Sequence, residues 1–380
     1  MHRKVITIIA ILLLAGIAGA QNTLPVFTDG PDPARPRLYD LRGQRFTSLL
    51  NLKGRKNITV LGGTFTGLGV DMRSTSYVKL DSLVIQDCND TMIKVSGGNR
   101  VTLQSSGDII QNCTLRRGHG MVSGIDMQAA VGVIARSNTI TQMDGRSIQL
   151  GGNDNQAINN RIDMCGWRWN DWGNIYLGGK DCSQRGNRVI GNVITRTGYD
   201  PATGLLLPGL FVGIYEDNHS AGNTIQANTL DGGNVGILVA GGRDNFHGAN
   251  VIKRHTIAVQ VDDRSAPSEI WPVATWSDTT GRSGANIQAG VDITSQAYAK
   301  YPFLALMAGS SVTKTTTSSA GVVTTYVCLA GDETLYPKAN VFTGNTYEGN
   351  GQILKIRSTS LQAKSNYTRA WNILNWMDTK

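Results

Sequence analysis

Six short stretches of the chain place apolar residues at every second position: Ile125-Asp126-Met127, Ile148-Gln149-Leu150, Ile175-Tyr176-Leu177, Ile214-Tyr215-Glu216, Ile237-Leu238-Val239 and Val259-Gln260-Val261. Glu216 is the single exception on the alternating side. A period of two is the signature of a strand with one buried face. The starts lie 23, 27, 39, 23 and 22 residues apart, so a basal repeat of 22–23 residues carries two insertions. A second signal recurs between them: Asn138, Asn160, Asn192, Asn228, Asn250 and Asn345 each stand two residues before an apolar one. Amides repeated at one phase of a repeat predict a stacked asparagine ladder inside a turn, each satisfying the next and the turn backbone. No helical period competes, and the chain holds 45 Gly. One such unit cannot bury its apolar face alone, so units stack. The pattern predicts an all-β fold, a parallel β-solenoid. A sandwich or a propeller has no need of an Asn at a fixed phase.

Taken in order, residues 1–20 read as a secretory signal: His2, Arg3 and Lys4 precede the apolar run Val5 to Leu14, and Ala18-Gly19-Ala20 offers a small-residue cleavage site. The run is short for a membrane span. The mature protein is expected to be secreted or periplasmic. Residues 21–56, with Pro25, Pro31, Pro33 and Pro36, are expected to cap the first coil. The helix then occupies 57–264. Residues 265–338 form an insertion with a short helix near Gln296 to Lys300 and a Thr-rich hairpin over Val312 to Val327. Residues 339–380 supply a last coil and a terminal cap.

Composition changes the picture little. Forty per cent hydrophobic residues suffice for a core, and the net charge is +8. Without Arg3 and Lys4 it is +6, from 34 basic and 28 acidic residues. That excess suits an acidic polysaccharide as well as a neutral one. No nucleic-acid motif or dense basic run is present. The five Cys follow no CxxC spacing, which argues against a metal knot. Cys88 and Cys113, 25 residues apart, are expected to stack as small apolar residues. Cys165 and Cys182 flank one insertion and are either a disulfide or two buried thiols.

Candidate chemistry lies on the outward-facing positions. The residue after each first apolar position gives the column Asp126, Gln149, Tyr176, Tyr215, Leu238, Gln260. Two residues further comes Gln128, Gly151, Gly178, Asp217, Ala240, Asp262. Both columns share one outer face. Gly151 and Gly178 are expected to leave room there. Asp217 and Asp262 stand two coils apart, about 10 Å between Cα atoms, within reach of the carboxyl separations that glycosidases use. Tyr176 and Tyr215 can hold a sugar ring or hydroxyl, with Lys180, His219, Arg243 and Arg264 on the following turns. Trp167, Trp169 and Trp172 crowd the first insertion, where they serve either as a sugar platform or as aromatics pinning their own loop. The second insertion, Tyr199 to Leu210, is expected to wall the same groove. Against this, an Asp in a solenoid turn can simply cap its backbone. Glu216 falls on an inward position and needs a partner, such as a neighbouring Arg, unless the register slips and Glu216 replaces Asp217 in the cleft.

These residues also carry a family resemblance. Gly213-Ile-Tyr-Glu-Asp-Asn218, then Gly222-Asn-Thr-Ile225, Gly241-Gly-Arg-Asp-Asn245, Val259-Gln-Val-Asp-Asp-Arg264 and Tyr301-Pro302 resemble secreted right-handed parallel β-helix carbohydrate enzymes. The likeness is nearest to glycoside hydrolases with fucosidase and xylanase activities, on a pectin-lyase-like fold. It implies that Asp217 and Asp262 are the catalytic acids and that Arg243 and Arg264 match the family's arginines. Glu216, Asn218 and Ser265 depart from the usual Leu, Asp and Gly. The resemblance implies a glycoside hydrolase acting on a polysaccharide or oligosaccharide, with no cofactor. The alternatives are a lyase or epimerase of uronate glycans using Lys180, His219, Arg243 or Arg264 as base with Ca²⁺ as helper, and a non-catalytic glycan-binding β-helix.

Overall fold

The computed structural model describes residues 21–178, 183–217, 220–262, 291, 295–301, 304, 311–317, 323–329 and 340–357. Each coil contributes three short strands. The first face is a ten-stranded parallel sheet running from Arg37–Asp40 through Ile109–Gln111 and Arg188–Ile190 to Val341–Thr343. The other two faces meet at a corner after strands such as Thr114–Gly118 and before strands such as Ser123–Met127. In the coils Thr229–Ala240 and Val251–Asp262 that corner straightens into one continuous strand. Every pairing between coils is parallel; the hairpin of Ser311–Thr317 with Val323–Leu329 is antiparallel.

The alternation read from the sequence is the register of the third face. Ile125, Ile148, Ile175, Ile214, Ile237 and Val259 are stacked partners. All six are buried in one continuous lumen. The stack begins earlier than expected: Arg37–Asp40 pairs with Ile58–Leu61 inside the segment expected to be only a cap. The final coil, Val341–Thr343 to Gln352–Arg357, completes the stack on Phe246–Gly248 and Val251–Asp262. The short helix at Gln296–Lys300 is a 3-10 turn. Among the described residues no helix is long and apolar enough to cross a membrane.

The asparagine ladder is continuous. The amide oxygens of Asn160, Asn192, Asn228, Asn250 and Asn345 each accept the backbone N–H of the Asn one coil earlier, at 2.9–3.0 Å. The residue before each rung turns the corner in the left-handed region: Ser137, Asn159, Ala227 and Ala249 have φ of 53–54°. Left-handed backbone costs a non-glycine residue about 1–2 kcal/mol, which the ladder bonds offset.

A second ladder runs along the opposite corner, before the first face, and it went unread in the sequence. Asn155, Asn187, Asn223, Asn245 and Asn340 occupy it; Asn155 N–H donates to Asn187 (3.1 Å) and Asn223 N–H to Asn245 (2.9 Å). Asp108 holds the same phase in an earlier coil, accepting the Val78 N–H at 2.9 Å and the Thr75 hydroxyl at 2.8 Å. Burial pushes its carboxyl up from 3.8 to about 6, against the pull of those hydrogen bonds. Between pH 3.8 and 6 the unfolded chain therefore releases a proton that the folded chain keeps, and stability falls as pH rises. The loss is on the order of 3 kcal/mol. His255 works in the opposite direction. Burial lowers its pKa from 6.5 to about 4, so stability increases as pH rises from 4 to 6.5. Asp108→Asn should match the later rungs, be more stable than the natural chain at pH 7 but not at pH 4, and uncover the His255-driven rise. Urea denaturation at both pH values checks this; equal midpoint shifts at the two would contradict it.

The thiols of Cys88, Cys113 and Cys165 are free and buried. Cys182, the expected counterpart of Cys165, lies outside the described residues. Cys88 is level with Gly118, not with Cys113, because the corner residue Cys113 belongs to a different phase of the coil. Burial pushes their thiols up, to about 11 for Cys88 and Cys165 and about 12 for Cys113, so all three behave as small apolar residues.

Candidate functional site

The register brings the two expected columns onto one outer face. Gly178 is level with Asp217, and Ala240 with Asp262. Tyr176, Tyr215, Leu238 and Gln260 are consecutive partners. This face is covered rather than open. Tyr176, Val212, Tyr215, Val235, Leu238 and Ala240 form a second apolar cluster, separate from the lumen, with Leu210 and Ile257 against it. Asp217 is 5% exposed and Asp262 2%.

Tyr176 links the cluster to the chemistry. Its hydroxyl donates to Asp217 Oδ2 at 2.5 Å. Desolvation, and next the Asp217 charge, push the phenol pKa up, so Tyr176 stays protonated as the donor. Gly178 does not leave space for substrate as expected: a Cβ there would stand 2.0 Å from Tyr176 Cε1, so the ring occupies that space. Gly178→Ala should displace the ring, break its bond to Asp217 and destabilise the fold by about 1–3 kcal/mol. Thermal unfolding measures this, and an unchanged midpoint would refute the packing.

Arg146 went unnoticed in the sequence. Its guanidinium carbon lies 4.0 Å from the Trp172 ring centroid and 4.2 Å from that of Tyr176. It donates to Gln149 Oε1 at 3.0 Å. Burial lowers its pKa; the nearby charges of Asp126 and Asp217 oppose that. Desolvation raises the carboxyl of Asp126, two coils before Tyr176. No spacing rule points to Arg146, because it lies two residues before the apolar triplet and meets the aromatics only across coils.

The remaining expected residues separate. Tyr215 is fully buried and donates to Asp171 at 2.9 Å, so it supports the site and does not meet a ligand. Its ring meets Tyr176 edge-on at 5.4 Å. Glu216 belongs to the lumen: its register partners are Leu177 and Val239, and its Oε2 lies 2.6 Å from His247 Nε2. It is neither in the cleft nor paired with an Arg, because strand alternation holds without a slip and His247 projects inward from the first face. Arg243 does not line the face either. It is buried against Asp244 (3.1 Å), which also binds Arg185 (2.9 Å). Lys180, His219 and Arg264 lie outside the described residues. Trp167 and Trp169 are half-buried with buried indole nitrogens, and Trp169 packs 6.4 Å from Trp172. The two insertions meet as expected: Asp171 N–H donates to the Leu210 carbonyl at 2.8 Å, and Asn170 accepts the Leu210 N–H.

A family model described as the right handed beta helix region matches residues 68–266. The chain belongs to the right-handed β-helix family. No curated protein matches it. Four solved chains are similar to it, and three of them illustrate how low the identity is. PfbA, a surface adhesin of Streptococcus pneumoniae, is 12% identical with a TM-score of 0.43, over 65% of this chain and 72% of the adhesin. The catalytic unit of a GH87 alpha-1,3-glucanase from Streptomyces thermodiastaticus is 14% identical with a TM-score of 0.35, over 59% and 55%. A PL6 alginate lyase is 11% identical with a TM-score of 0.33, over 64% and 56%. At such identities the likeness is one of fold and assigns no activity.

Proposed function

We propose that this β-helix protein is an exported carbohydrate-active enzyme, a glycoside hydrolase acting on a polysaccharide or oligosaccharide. The observation that carries the reading is Asp217: a carboxylate accepting a hydrogen bond from a phenol that stays protonated, beside a stacked Arg–aromatic array, with Asp262 two coils on in the same column. Asp217 then acts as base or nucleophile, and Asp262 as its acid partner. The test follows reducing ends and ultraviolet absorbance together on plant and algal polysaccharides, with Asp217→Asn and Asp262→Asn alongside. Reducing ends without absorbance, lost in both variants, support hydrolysis. Absorbance that survives both would establish a lyase with a basic catalyst; of its four expected bases, Arg243 is committed to Asp244.

The depth of both carboxylates favours a second reading, a non-catalytic glycan-binding β-helix. It expects glycan retained by both variants and turned over by none.

A further inference from the structure

One coil beyond Tyr215 on the same outer face lies a cavity of about 410 Å³, the size of a small-ligand site. Its wall is aliphatic: Leu210 comes from the second insertion, and Val235 and Ile257 are level with each other on adjacent coils. Its open polar groups are few. Gln260 is 3% exposed, yet among the described residues its side-chain amide has no hydrogen-bond partner and is not shut off from solvent. Because Gln260 lines the cavity, that amide opens into it. Lys355 is level with Gln260 on the last coil, exposed, and paired with no acidic residue among those described. Its ammonium is the only charge in the described lining, with no Asp or Glu there to balance it. Asp262 stands two strand positions from Gln260, and its Oδ1 is closed off from solvent.

These groups favour an acceptor. A sugar hydroxyl both donates and accepts, whereas an anionic oxygen only accepts, and both Gln260 Nε2 and Lys355 Nζ donate. A hydrogen bond to a charged oxygen is about twice as strong as one between neutral groups. We propose that this cavity binds the anionic substituent of an acidic sugar, a carboxylate or a sulfate ester, between Gln260 Nε2 and Lys355 Nζ, with the carbon skeleton against Leu210, Val235 and Ile257. The inference rests on the glycan reading above and gives it a substrate class. An acidic sugar held there would lie beside Asp262, the acid partner in that reading.

The test is a saturation-transfer NMR titration of the whole chain with two sets of sugars that differ only at C6: galactose, galacturonic acid and galactose 6-sulfate, and the corresponding glucose series. In at least one set an acidic sugar should bind at least about tenfold more tightly than its neutral parent, a difference of about 1.4 kcal/mol. Tighter binding of the uronic acid identifies the anion as a carboxylate, and tighter binding of the 6-sulfate identifies a sulfate ester. Lys355→Gln, on an exposed side chain, should erase the preference and leave affinity for the neutral sugar unchanged. Gln260→Met keeps the volume of a side chain that bonds to nothing. It should weaken the acidic sugar by about threefold to tenfold with an unchanged unfolding midpoint. Equal binding within both sets, no binding of any acidic sugar, or a preference that survives Lys355→Gln would overturn the inference. Selective binding of an acidic sugar by a chain that hydrolyses no glycan defeats the hydrolase reading and leaves the cavity standing. Hydrolysis of neutral glycans, with acidic and neutral sugars bound alike, sinks the cavity alone.

Discussion

Asp217→Asn is expected to lower turnover of a responsive polysaccharide by about 10²–10⁴-fold, the usual contribution of a positioned proton-transfer or nucleophilic group, while leaving the fold intact. The reason for the second half is geometric. The amide oxygen of Asn can still accept the Tyr176 hydroxyl that now stands 2.5 Å from Asp217 Oδ2, so the buried phenol keeps its partner. Asp217→Leu removes that acceptor and should destabilise the chain by a further 1–3 kcal/mol or so, the cost of an orphaned buried donor. Tyr176→Phe tests the other end of the same bond. It removes the donor without changing ring packing against Arg146 and Tyr215, and should cost about fivefold to tenfold in turnover. Kinetics read beside thermal unfolding separate these cases. Full turnover in a folded Asp217→Asn protein would rule this residue out of the chemistry.

The largest effect on stability should come from the lumen. Glu216 and His247 are both fully buried, joined by a 2.6 Å contact, and surrounded by apolar neighbours. Glu216 is level with Leu177 and Val239; His247 is level with Ile225 and Phe342 and stacks on the Phe342 ring at 4.1 Å. Glu216 Oε1 and His247 Nδ1 find no hydrogen-bond partner. Removing one member of such a pair strands the other, at about 3–5 kcal/mol. Against a total stability of roughly 5–15 kcal/mol, Glu216→Leu or His247→Ile alone should be close to unfolding at 37 °C. The double variant restores the apolar pairing of the flanking coils and should recover to within about 1 kcal/mol of the natural chain, or exceed it. Urea unfolding of the four proteins forms the cycle. If the double variant lost the sum of the two single losses, the pair would be uncoupled and the argument wrong.

Much of this molecule could be read from local pattern. The inward column from Ile125 to Val259, the ladder from Asn138 to Asn345, the last coil and the outward placement of Asp217 all follow from a period of two inside a period of 22–23. The physical reason is that each coil repeats the same backbone problem and solves it with the same residue type. The second ladder was legible in principle, since Asn155, Asn187, Asn223, Asn245 and Asn340 recur at one phase; its first rung is disguised because Asp108 carries a carboxylate there.

What the tertiary structure alone decided is which side chains meet between coils and across the lumen. The partner of Glu216 comes from the first face across the lumen, 31 residues away. Arg146 reaches Trp172 and Tyr176 across one rung, and Arg243 is drawn away to Asp244. The two insertions cover a face that alternation marks as outward, which buries Tyr215 and turns the space over Gly178 into a seat for Tyr176. Alternation specifies the side of the sheet on which a residue stands. Exposure and pairing depend on what packs over that side, and in a solenoid that covering comes from loops whose sequences do not repeat.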